Sequence, residues 1–442
     1  MSVDADETGS GALAPSARDA RIEGKGIVDV RKALLARYPA LGYPLYRRYF
    51  LASLASVGAQ QFVGLAQGWL VFKLSHSALV LGLLGAAASV PNIVLSLFGG
   101  VVADRFDKRS IQLCTSALTA TLLFLLAALD RTGVVHVWHV WAIAGATALI
   151  SGIEWPTRQS YFPHLIERHA LLSAVALNAF VWQATRMVIP ALGGVLIALT
   201  DTWFLFLLSG FGVVTMFLVM WWIPVRTMPA PTTHSTLKQI FDGLHFIWTH
   251  ELFRWLILLS YCGMFFAFAY MQILPVFLKA LGASETGYGL LFSASGFGSV
   301  AGTLLVGEIQ HRYPLGLVLL GGAILSGLCL YGFAVAVEVG WFPLALTAVF
   351  SAALFSSIFM VSSTTALQLE VPDALRGRVM GTQSITYSLM PLGALVMGAL
   401  AEHGTPVMAV ALGATVYVLF AIAIALARPS IRALEAQALG AR

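Results

Sequence analysis

Charged residues are scarce in this chain. Only 11% of its 442 residues are Asp, Glu, Lys or Arg, whereas 58% are hydrophobic and the mean hydropathy is +0.83. A water-soluble protein of this size cannot bury so much apolar surface in its core. The composition therefore excludes an ordinary soluble protein and indicates a chain whose main solvent is lipid.

Catalytic and cofactor motifs are also missing. The three cysteines, Cys114, Cys262 and Cys329, are odd in number and lie in apolar stretches, so they predict no disulfide framework. The sequence contains no G-x-x-x-x-G-K-[ST] loop for ATP and no H-E-x-x-H or Cys/His cluster for a metal. We predict no catalytic residue, no cofactor and no metal. The pI near 9.2 requires no nucleic-acid partner, because membrane topology accounts for the basic residues.

Long apolar runs are abundant. About 20 apolar residues cross roughly 30 Å of hydrocarbon, and backbone groups in lipid must be hydrogen-bonded within their own segment, so each run predicts a helix. We therefore predict an all-α integral membrane protein. Its transmembrane helices, about twelve in number, are expected at 48–72, 78–103, 110–129, 135–153, 171–198, 202–223, 254–278, 285–307, 316–337, 342–366, 378–400 and 405–427.

The basic residues are distributed unevenly over the predicted loops. Of the 26 Lys and Arg residues, only Lys73, Arg131 and Lys279 lie on the side opposite the termini, and Arg186 lies within a span. Cytoplasmic loops collect Lys and Arg. We therefore predict that both termini are cytoplasmic.

The spans divide the chain into two halves joined by a proline-rich linker. Within the linker, apolar residues from Leu237 to Trp248 recur at helical spacing and predict an amphipathic helix at the membrane interface. An early start of the seventh span is the alternative, against which Asp242 and His245 count. The expected segments are a disordered cytoplasmic tail at 1–44, an N-terminal six-helix half at 45–224, the linker at 225–252, a C-terminal six-helix half at 253–428 and a cytoplasmic tail at 429–442.

The turn between the second and third spans carries the most informative motif. It follows the pattern G-x-x-x-D-R-x-G-R-[RK], except that Asp107 stands at the second glycine. The matching residues are Gly100, Asp104, Arg105, Lys108 and Arg109. This segment resembles the cytoplasmic loop signature of the major facilitator superfamily. The resemblance implies a secondary transporter built of two six-helix halves.

The same resemblance implies a gate. Asp104 would dock on the positively charged start of helix eleven, near Arg376 and Arg378, and so close the inner side of the transporter. A loop whose charges only set the membrane topology is the alternative.

Three further segments are similar to one branch of that superfamily. They are 156–178, 186–194 and 375–394, and they resemble enterobactin exporters and macrolide-efflux-type proteins. Pro190, Gly193 and Gly194 are similar to the end of a G-P-x-x-G-G antiporter signature, with Ile189 in place of its first glycine. The resemblance implies export by antiport, with protons as coupling ions, across the bacterial cytoplasmic membrane.

An internal repeat agrees with the two halves. Shifting the sequence by 204 positions places Asp104 on Glu308 and Gly194 on Gly398. Apolar chains give such coincidences often, but here the boundaries of loops and spans coincide as well. Two parallel halves would hold a substrate cavity between them near the middle of the membrane.

Arg186 is the one basic residue near the centre of a span. Its insertion costs a few kcal/mol, so we expect it to face the protein interior. It would serve either as an anion-attracting or proton-responsive group in the cavity, or as a structural donor to carbonyls that Pro190 leaves unpaired. No acid is predicted to lie as deep, because the candidates fall near span ends: Glu154, Glu308, Glu338 and Glu402. The sequence therefore does not identify a proton-coupling acid.

Two helical faces are candidate linings of the cavity. In the first span, Gln60, Gly64 and Gln67 lie at i, i+4 and i+7, and amides that faced lipid would lack hydrogen bonds. The resemblance implies that spans one, four, seven and ten line the cavity, which would suit a large amphipathic organic molecule. A stripe of the seventh span has the same spacing, with plain packing as the alternative: Tyr261, Phe265, Phe268 and Gln272.

These observations predict a secondary active transporter and not an enzyme. We expect it to export a small amphipathic molecule, such as a siderophore, an antibiotic or another drug-like metabolite, by alternating access. Its other partners would be the lipid bilayer and protons. A facilitator or a signalling receptor on the same scaffold is the alternative. A membrane-embedded enzyme has less support, because its interior would need converging acids, bases or metals.

Overall fold

A computed structural model describes residues 37–225, 245, 247–371 and 386–434, except for the side chains of 93, 94, 96–105 and 387. The long elements are α-helices: α1 Pro44–Ser75, α2 Ala78–Arg105, α3 Lys108–Arg131, α4 Val137–Tyr161, α5 Leu171–Leu199, α6 Thr202–Trp222, α7 Glu251–Cys262, α8 Glu285–Arg312, α9 Leu315–Val339, α10 Phe342–Glu370, α11 Thr386–His403 and α12 Pro406–Ala427. Short turns of helix lie at Pro39–Gly42, Phe162–Leu165, Arg168–Ala170, Pro275–Leu278 and Pro429–Arg432. The prediction of an all-helical chain is confirmed for the described residues.

Ten helical segments of the described chain are long and apolar enough to cross a membrane. They correspond to α1, α3 to α10 and α12, with α7 extended to Ile273. Helix α2 is fully described only over the apolar stretch Ala78–Asn92, and α11 has 18 residues. An integral membrane protein is therefore confirmed, whereas twelve spans and the cytoplasmic position of the termini stay predictions.

Polar side chains fix where several helices begin. Asp107 accepts hydrogen bonds from the backbone N–H and hydroxyl of Ser110 at 3.1 and 2.9 Å, which starts α3. Thr405 accepts from the N–H of Met408 at 3.1 Å and starts α12 in the same way. Such caps satisfy N–H groups that have no partner within the helix. Asp107 has a φ of −60°, so its place in the turn does not require glycine.

The described chain extends slightly beyond the predicted halves. Ala40, in the predicted tail, is fully buried, and its N–H donates to Ser173 Oγ at 3.3 Å. Ile431, in the other predicted tail, is also buried, and Gly316 N–H donates to Leu434 O at 3.1 Å nearby. The folded halves therefore include short turns on both flanks. Most of the predicted amphipathic helix lies outside the described residues.

The two ends of the bundle differ in how its halves meet. We call one end the Glu402 end. There α1, α3, α5, α9 and α11 finish, and the seventh span finishes with the turn Pro275–Leu278. The other end is the Tyr161 end. One large apolar core contains residues of both halves, and its N-terminal members all lie near the Glu402 end, within 62–84, 126–144 and 197–206. At the Tyr161 end, a separate cluster draws only on residues 40–223. The halves therefore share a core at the Glu402 end.

The seventh span is not one continuous helix, contrary to the predicted run at 254–278. After α7, the backbone forms a π turn at Gly263–Ala267 and a 3-10 turn at Ala269–Ile273. Irregular backbone at this depth is tolerated where it is packed against protein. Here α11 lies against it, and Gly393 leaves room for the carbonyl of Phe265.

Candidate functional site

Glycines bring α5 of the first half against α8 of the second. A Cβ on Gly194 would lie 2.6 Å from the carbonyl oxygen of Glu285. A Cβ on Gly289 would collide with the carbonyl oxygen of Pro190. The N–H of Ala191 donates to Ser293 Oγ at 2.9 Å across the same contact. Small residues let helices in lipid approach closely. Gly194 thus acts between the halves, whereas Gly193 packs within the first half against Leu65 and Phe62.

Glu402 joins the halves at the loop between α1 and α2. Its Oε2 accepts from the Ser77 hydroxyl and the Ala78 N–H, both at 3.0 Å, and from the Leu79 N–H at 3.4 Å. A carboxylate at the positive start of a helix satisfies otherwise unpaired N–H groups and stabilises the helix dipole. The end of α11 therefore caps the start of α2, which belongs to the other half.

The predicted face of α1, formed by Gln60, Gly64 and Gln67, is exposed at its first two residues and buried at the third, toward the Glu402 end. Gln60 and Gly64 are exposed, and a Cβ added to Gly64 would meet no heavy atom within 4 Å. Gln67 is buried, and its Nε2 has no hydrogen-bond partner in the described part of the chain. Beyond it, Trp69 packs on Tyr288 of α8 with ring centroids 5.7 Å apart. The first two residues of the face are accessible, and the third lies behind the closure.

Arg186 lies at the contact between the halves. Its side chain is half-buried, and its charge acts on the buried phenol of Tyr270 in the second half. Pro190 has no N–H, so the carbonyl of Arg186 loses its helical donor. Gly296 of α8 leaves room for that carbonyl, because a Cβ there would lie 2.7 Å from it. Whether Arg186 serves as an anion-attracting or proton-responsive group of the cavity or as a structural donor stays a prediction.

A buried polar cluster links α1, α3 and α4. Glu154 Oε1 accepts from Arg158 Nη2 at 2.8 Å and from Gln112 Nε2 at 3.0 Å. Arg158 Nη2 also donates to Ser56 Oγ at 3.0 Å. Glu154 is 8% exposed and Arg158 is 4% exposed. The predicted limit of 153 for this span is too short, because α4 continues to Tyr161, eight residues beyond it. That Glu154 lies near a span end stays a prediction.

Opposite charges four residues apart could have identified this cluster from sequence. A Glu and an Arg at i and i+4 share one face of a helix and can neutralise each other. That signal was outweighed by the drop in hydropathy after residue 153. The sequence does not predict the contacts of Glu402, because its partners Ser77, Ala78 and Leu79 lie more than 300 residues away.

The residues of the loop motif are only partly described. Arg109 Nε and Nη2 donate to the carbonyls of Met220 and Trp221 at 2.9 and 2.8 Å, and so cap the end of α6. Lys108 is buried. The backbone of Gly100, Asp104 and Arg105 lies in α2, but their side chains, and all of Arg376 and Arg378, lie outside the described residues.

The four residues of the predicted stripe in span seven are all half-buried despite the break in the helix: Tyr261, Phe265, Phe268 and Gln272. Phe265 lines an apolar cavity of about 220 Å³ between the π turn, α11 and α12. A second apolar cavity, of about 410 Å³, lies farther along α11 and shares Val396 and Leu400 with it. At least one side chain of the stripe therefore packs toward α11 and α12.

Comparison with known proteins gives consistent matches over nearly the whole chain. A family model described as transmembrane secretion effector matches residues 36–442. The enterobactin exporter EntS of Citrobacter koseri is 26% identical over 381 residues, which cover 83% of this chain and 87% of that protein. The staphyloferrin A transporter of Staphylococcus aureus is 24% identical over 364 residues, which cover 80% and 89%.

Solved structures share the fold. The nucleoside transporter NupG superposes with a TM-score of 0.68 at 12% identity, and the match covers 88% of this chain and 99% of that one. At this identity the likeness bears on the arrangement of helices and not on the molecule bound.

Proposed function

This chain belongs to the transmembrane secretion effector family of the major facilitator superfamily, and from that membership we propose that it exports a small amphipathic organic molecule in exchange for protons. The chain is an integral inner-membrane transporter of small molecules and not an enzyme. The substrate class follows from the curated relatives, which are named for enterobactin and staphyloferrin A. A siderophore or a similarly sized antibiotic or metabolite is the expected substrate.

The observation that carries the proposal is where the described residues of the two halves meet. At the Glu402 end the halves share a core, a glycine contact and the Glu402 cap. Toward the Tyr161 end, Gln60 and Gly64 face open space. Among the described residues the halves thus join at the Glu402 end beside an accessible face of α1, which fits one state of alternating access around a central site.

The distribution of basic residues supports a cytoplasmic opening. Arg47, Arg48 and Arg109 lie at the Tyr161 end, whereas Lys73 and Lys279 lie at the Glu402 end. Cytoplasmic loops are the ones enriched in Lys and Arg. The open side would then be the loading side of an exporter, and the Glu402 end would be its outer gate. In the opposite state, Asp104 would dock on the start of α11 and close the inner side.

Inside-out membrane vesicles test this function directly, because the loading side then faces the medium. The probes are enterobactin, staphyloferrin A and the amphipathic dye ethidium. We expect at least one of them to concentrate in an acidic lumen and to leak out when a protonophore collapses the gradient. Vesicles from cells that lack the gene are the control.

Three results would contradict the proposal. A probe that only equilibrates, with no response to the protonophore, indicates a facilitator. A probe that binds without crossing the membrane indicates a receptor. Accumulation that occurs only in right-side-out vesicles indicates import.

A further inference from the structure

The carboxyl of Glu154 is placed where an exchanged proton can bind. Among the described residues it is the one buried acid. Exposed acids such as Glu308, Glu338 and Glu402 stay in contact with solvent. We propose that Glu154 binds and releases the proton that is exchanged for substrate, with Arg158 as its alternating partner. This proposal rests on the proton exchange proposed above and names the residue that performs it.

The ion pair is a costly way to pack a helix. The side chains of Glu154 and Arg158 are 11% and 5% exposed. Removing such ions from water costs several kcal/mol each, and apolar residues of similar volume often give equal or greater stability. A position that needed only packing would not require a pair of charges. The pair therefore indicates a use for a charge that can be switched off.

The hydrogen bonds of the carboxylate leave one oxygen for a proton. Oε1 accepts from both Arg158 and Gln112. In the described residues no hydrogen bond reaches Oε2. Protonation would form an O–H bond at that oxygen while a hydronium ion gives up one of its O–H bonds and becomes water. The proton would come from water on the side to which the cavity is open and leave to water on the other side after the halves have moved.

Arg158 has other acceptors within the cluster. Its Nη2 already donates to Ser56 Oγ on α1, and its Nε has no partner in the described chain. The buried hydroxyl of Tyr49, also on α1, lies within the electrostatic reach of both Arg158 and Glu154 and close to the Ser53 hydroxyl. When Glu154 is neutral, the guanidinium can turn toward these hydroxyls. Protonation would thereby change the contact between α4 and α1.

That contact lies next to the accessible face of α1. Ser56 is four residues before Gln60, which is one helical turn, or a rise of about 6 Å. A shift of Ser56 with Arg158 would move the amide that substrate is proposed to meet. Proton and substrate can therefore influence each other through one helix without touching. In an exchanger, proton binding must change the affinity for substrate, and substrate binding must change the affinity for the proton.

The neighbours of Glu154 include few other charges. Arg158 on the same helix and Tyr49 on α1 face it, and α3 contributes the neutral side chains of Gln112 and Ser116. Helix α3 also carries the buried Lys108, one helical turn before Gln112. Helix α2 also packs along α4, but its side chains toward the Tyr161 end lie outside the described residues.

The chain contains a matched control for this pair. Glu308 and Arg312 of α8 form the same i, i+4 ion pair at 2.6 Å, but their side chains are 65% and 71% exposed. Glu154→Gln and Glu308→Gln make the same chemical change at a buried and at an exposed site. Glu154→Asp retains a carboxylate at this position and tests whether the carboxylate restores the activity that Glu154→Gln loses.

Infrared difference spectroscopy of the purified protein tests proton binding without any substrate. We expect a carboxylic-acid carbonyl band that appears on acidification, is lost in Glu154→Gln and remains in Glu308→Gln. If the same band persists in Glu154→Gln, another carboxyl binds the proton and the proposal is wrong.

Transport assays in proteoliposomes then separate coupling from structure. The probe is whichever of enterobactin, staphyloferrin A or ethidium the wild type transports. We expect Glu154→Gln to exchange labelled for unlabelled probe at near the wild-type rate. Under a pH gradient, however, it should accumulate about tenfold less probe than the wild type, or less still. Glu308→Gln should retain both activities, and Glu154→Asp should recover part of the gradient-driven accumulation.

Other outcomes contradict the proposal in distinguishable ways. Full gradient-driven accumulation by Glu154→Gln excludes Glu154 as the proton carrier. Parallel loss of exchange and accumulation, together with lower thermal stability, assigns it a structural role instead. If the wild type itself exchanges probe but never responds to a pH gradient, the proposed antiport fails and the role of Glu154 in it fails too.

Discussion

The two halves differ most at the level where α4 and α10 approach α1 and α7. The internal shift of 204 positions places Ser56 on Ser260 and Arg158 on Ser362. In the second half, Ser260 Oγ lies 3.5 Å from Ser363 Oγ, and Ser362 Oγ accepts from Gln310 at 2.9 Å. The first half therefore buries an ion pair where the second half buries neutral hydroxyls.

This difference shows how one fold can divide its tasks. Neutral hydrogen bonds contribute roughly 1 kcal/mol each and do not change with pH in the physiological range. A carboxylate beside a guanidinium changes net charge when it takes up a proton. The second half would therefore serve as a pH-independent partner, while the first half responds to protons.

The largest expected effect comes from making the first half resemble the second. Arg158→Ser leaves Glu154 buried without its partner, and breaking a buried pair on one side costs about 3–5 kcal/mol. Replacing both residues, with Glu154→Gln added, should recover most of that loss. Thermal unfolding in detergent measures both variants. Ser362→Ala, the matching change in the second half, should cost about 1 kcal/mol; an equal cost at both sites would remove the distinction between the halves.

The next effect concerns the surface where the halves meet. Gly289→Ala places a methyl group against the carbonyl of Pro190, so the Glu402 end should close poorly. Overpacking of this kind costs about 1–3 kcal/mol, or roughly tenfold or more in transport per folded molecule. Gly307→Ala, on the same helix but with no heavy atom within 4 Å, is the control. Equal transport by the two variants would show that this glycine contact does not limit closure.

A smaller effect is expected on the accessible face of α1. Gln60→Ala should weaken apparent affinity about three- to tenfold, which corresponds to the loss of one hydrogen bond. Gln67→Ala should change it less when substrate enters from the Tyr161 end, because Gln67 is buried. Cysteines at both positions, in a variant without native cysteines, provide a second measurement. An aqueous maleimide added on the Tyr161 side should label position 60 and not position 67, and the reverse pattern would refute the assigned opening.

The smallest effect is expected at the Glu402 cap. Glu402→Ala removes a charged acceptor from the start of α2, but the site is exposed and screened, so the loss should be about 1 kcal/mol or less. The population with an open Glu402 end should rise a few-fold, and a cysteine at position 67 should react correspondingly faster from that side. Glu338→Ala, an exposed acid near the same end, should leave the rate unchanged. A similar increase in both variants would indicate a general effect of charge.

Hydropathy alone predicted most of the fold. Apolar runs located the long helices because lipid demands both an apolar surface and hydrogen bonds within each segment. The end of α4 was misplaced, since Glu154 and Arg158 lower the hydropathy while they pair with each other inside the helix. A hydropathy average counts each charge separately and does not detect that neutralisation.

Contacts between distant segments account for what the sequence did not predict. The break after α7 depends on the approach of Gly393 to the carbonyl of Phe265, and no local pattern encodes that approach. Arg109 was predicted as part of a gate, yet its described bonds are to the end of α6. Gln60 and Gly64 are exposed, and their place in a substrate cavity stays a prediction.

The break in the seventh span also determines where that span can bend. A continuous α-helix is stiff because each turn is bonded to the next, and the π and 3-10 turns between Gly263 and Ile273 interrupt that series. On one side, α7 is fastened to α12 by the 2.7 Å ion pair between Glu251 and Arg428. On the other side, Pro275–Leu278 packs against α1 and α8. The span therefore consists of two helical segments joined by a non-α-helical hinge. We expect α7 to change its tilt at this hinge while Pro275–Leu278 stays packed against the first half.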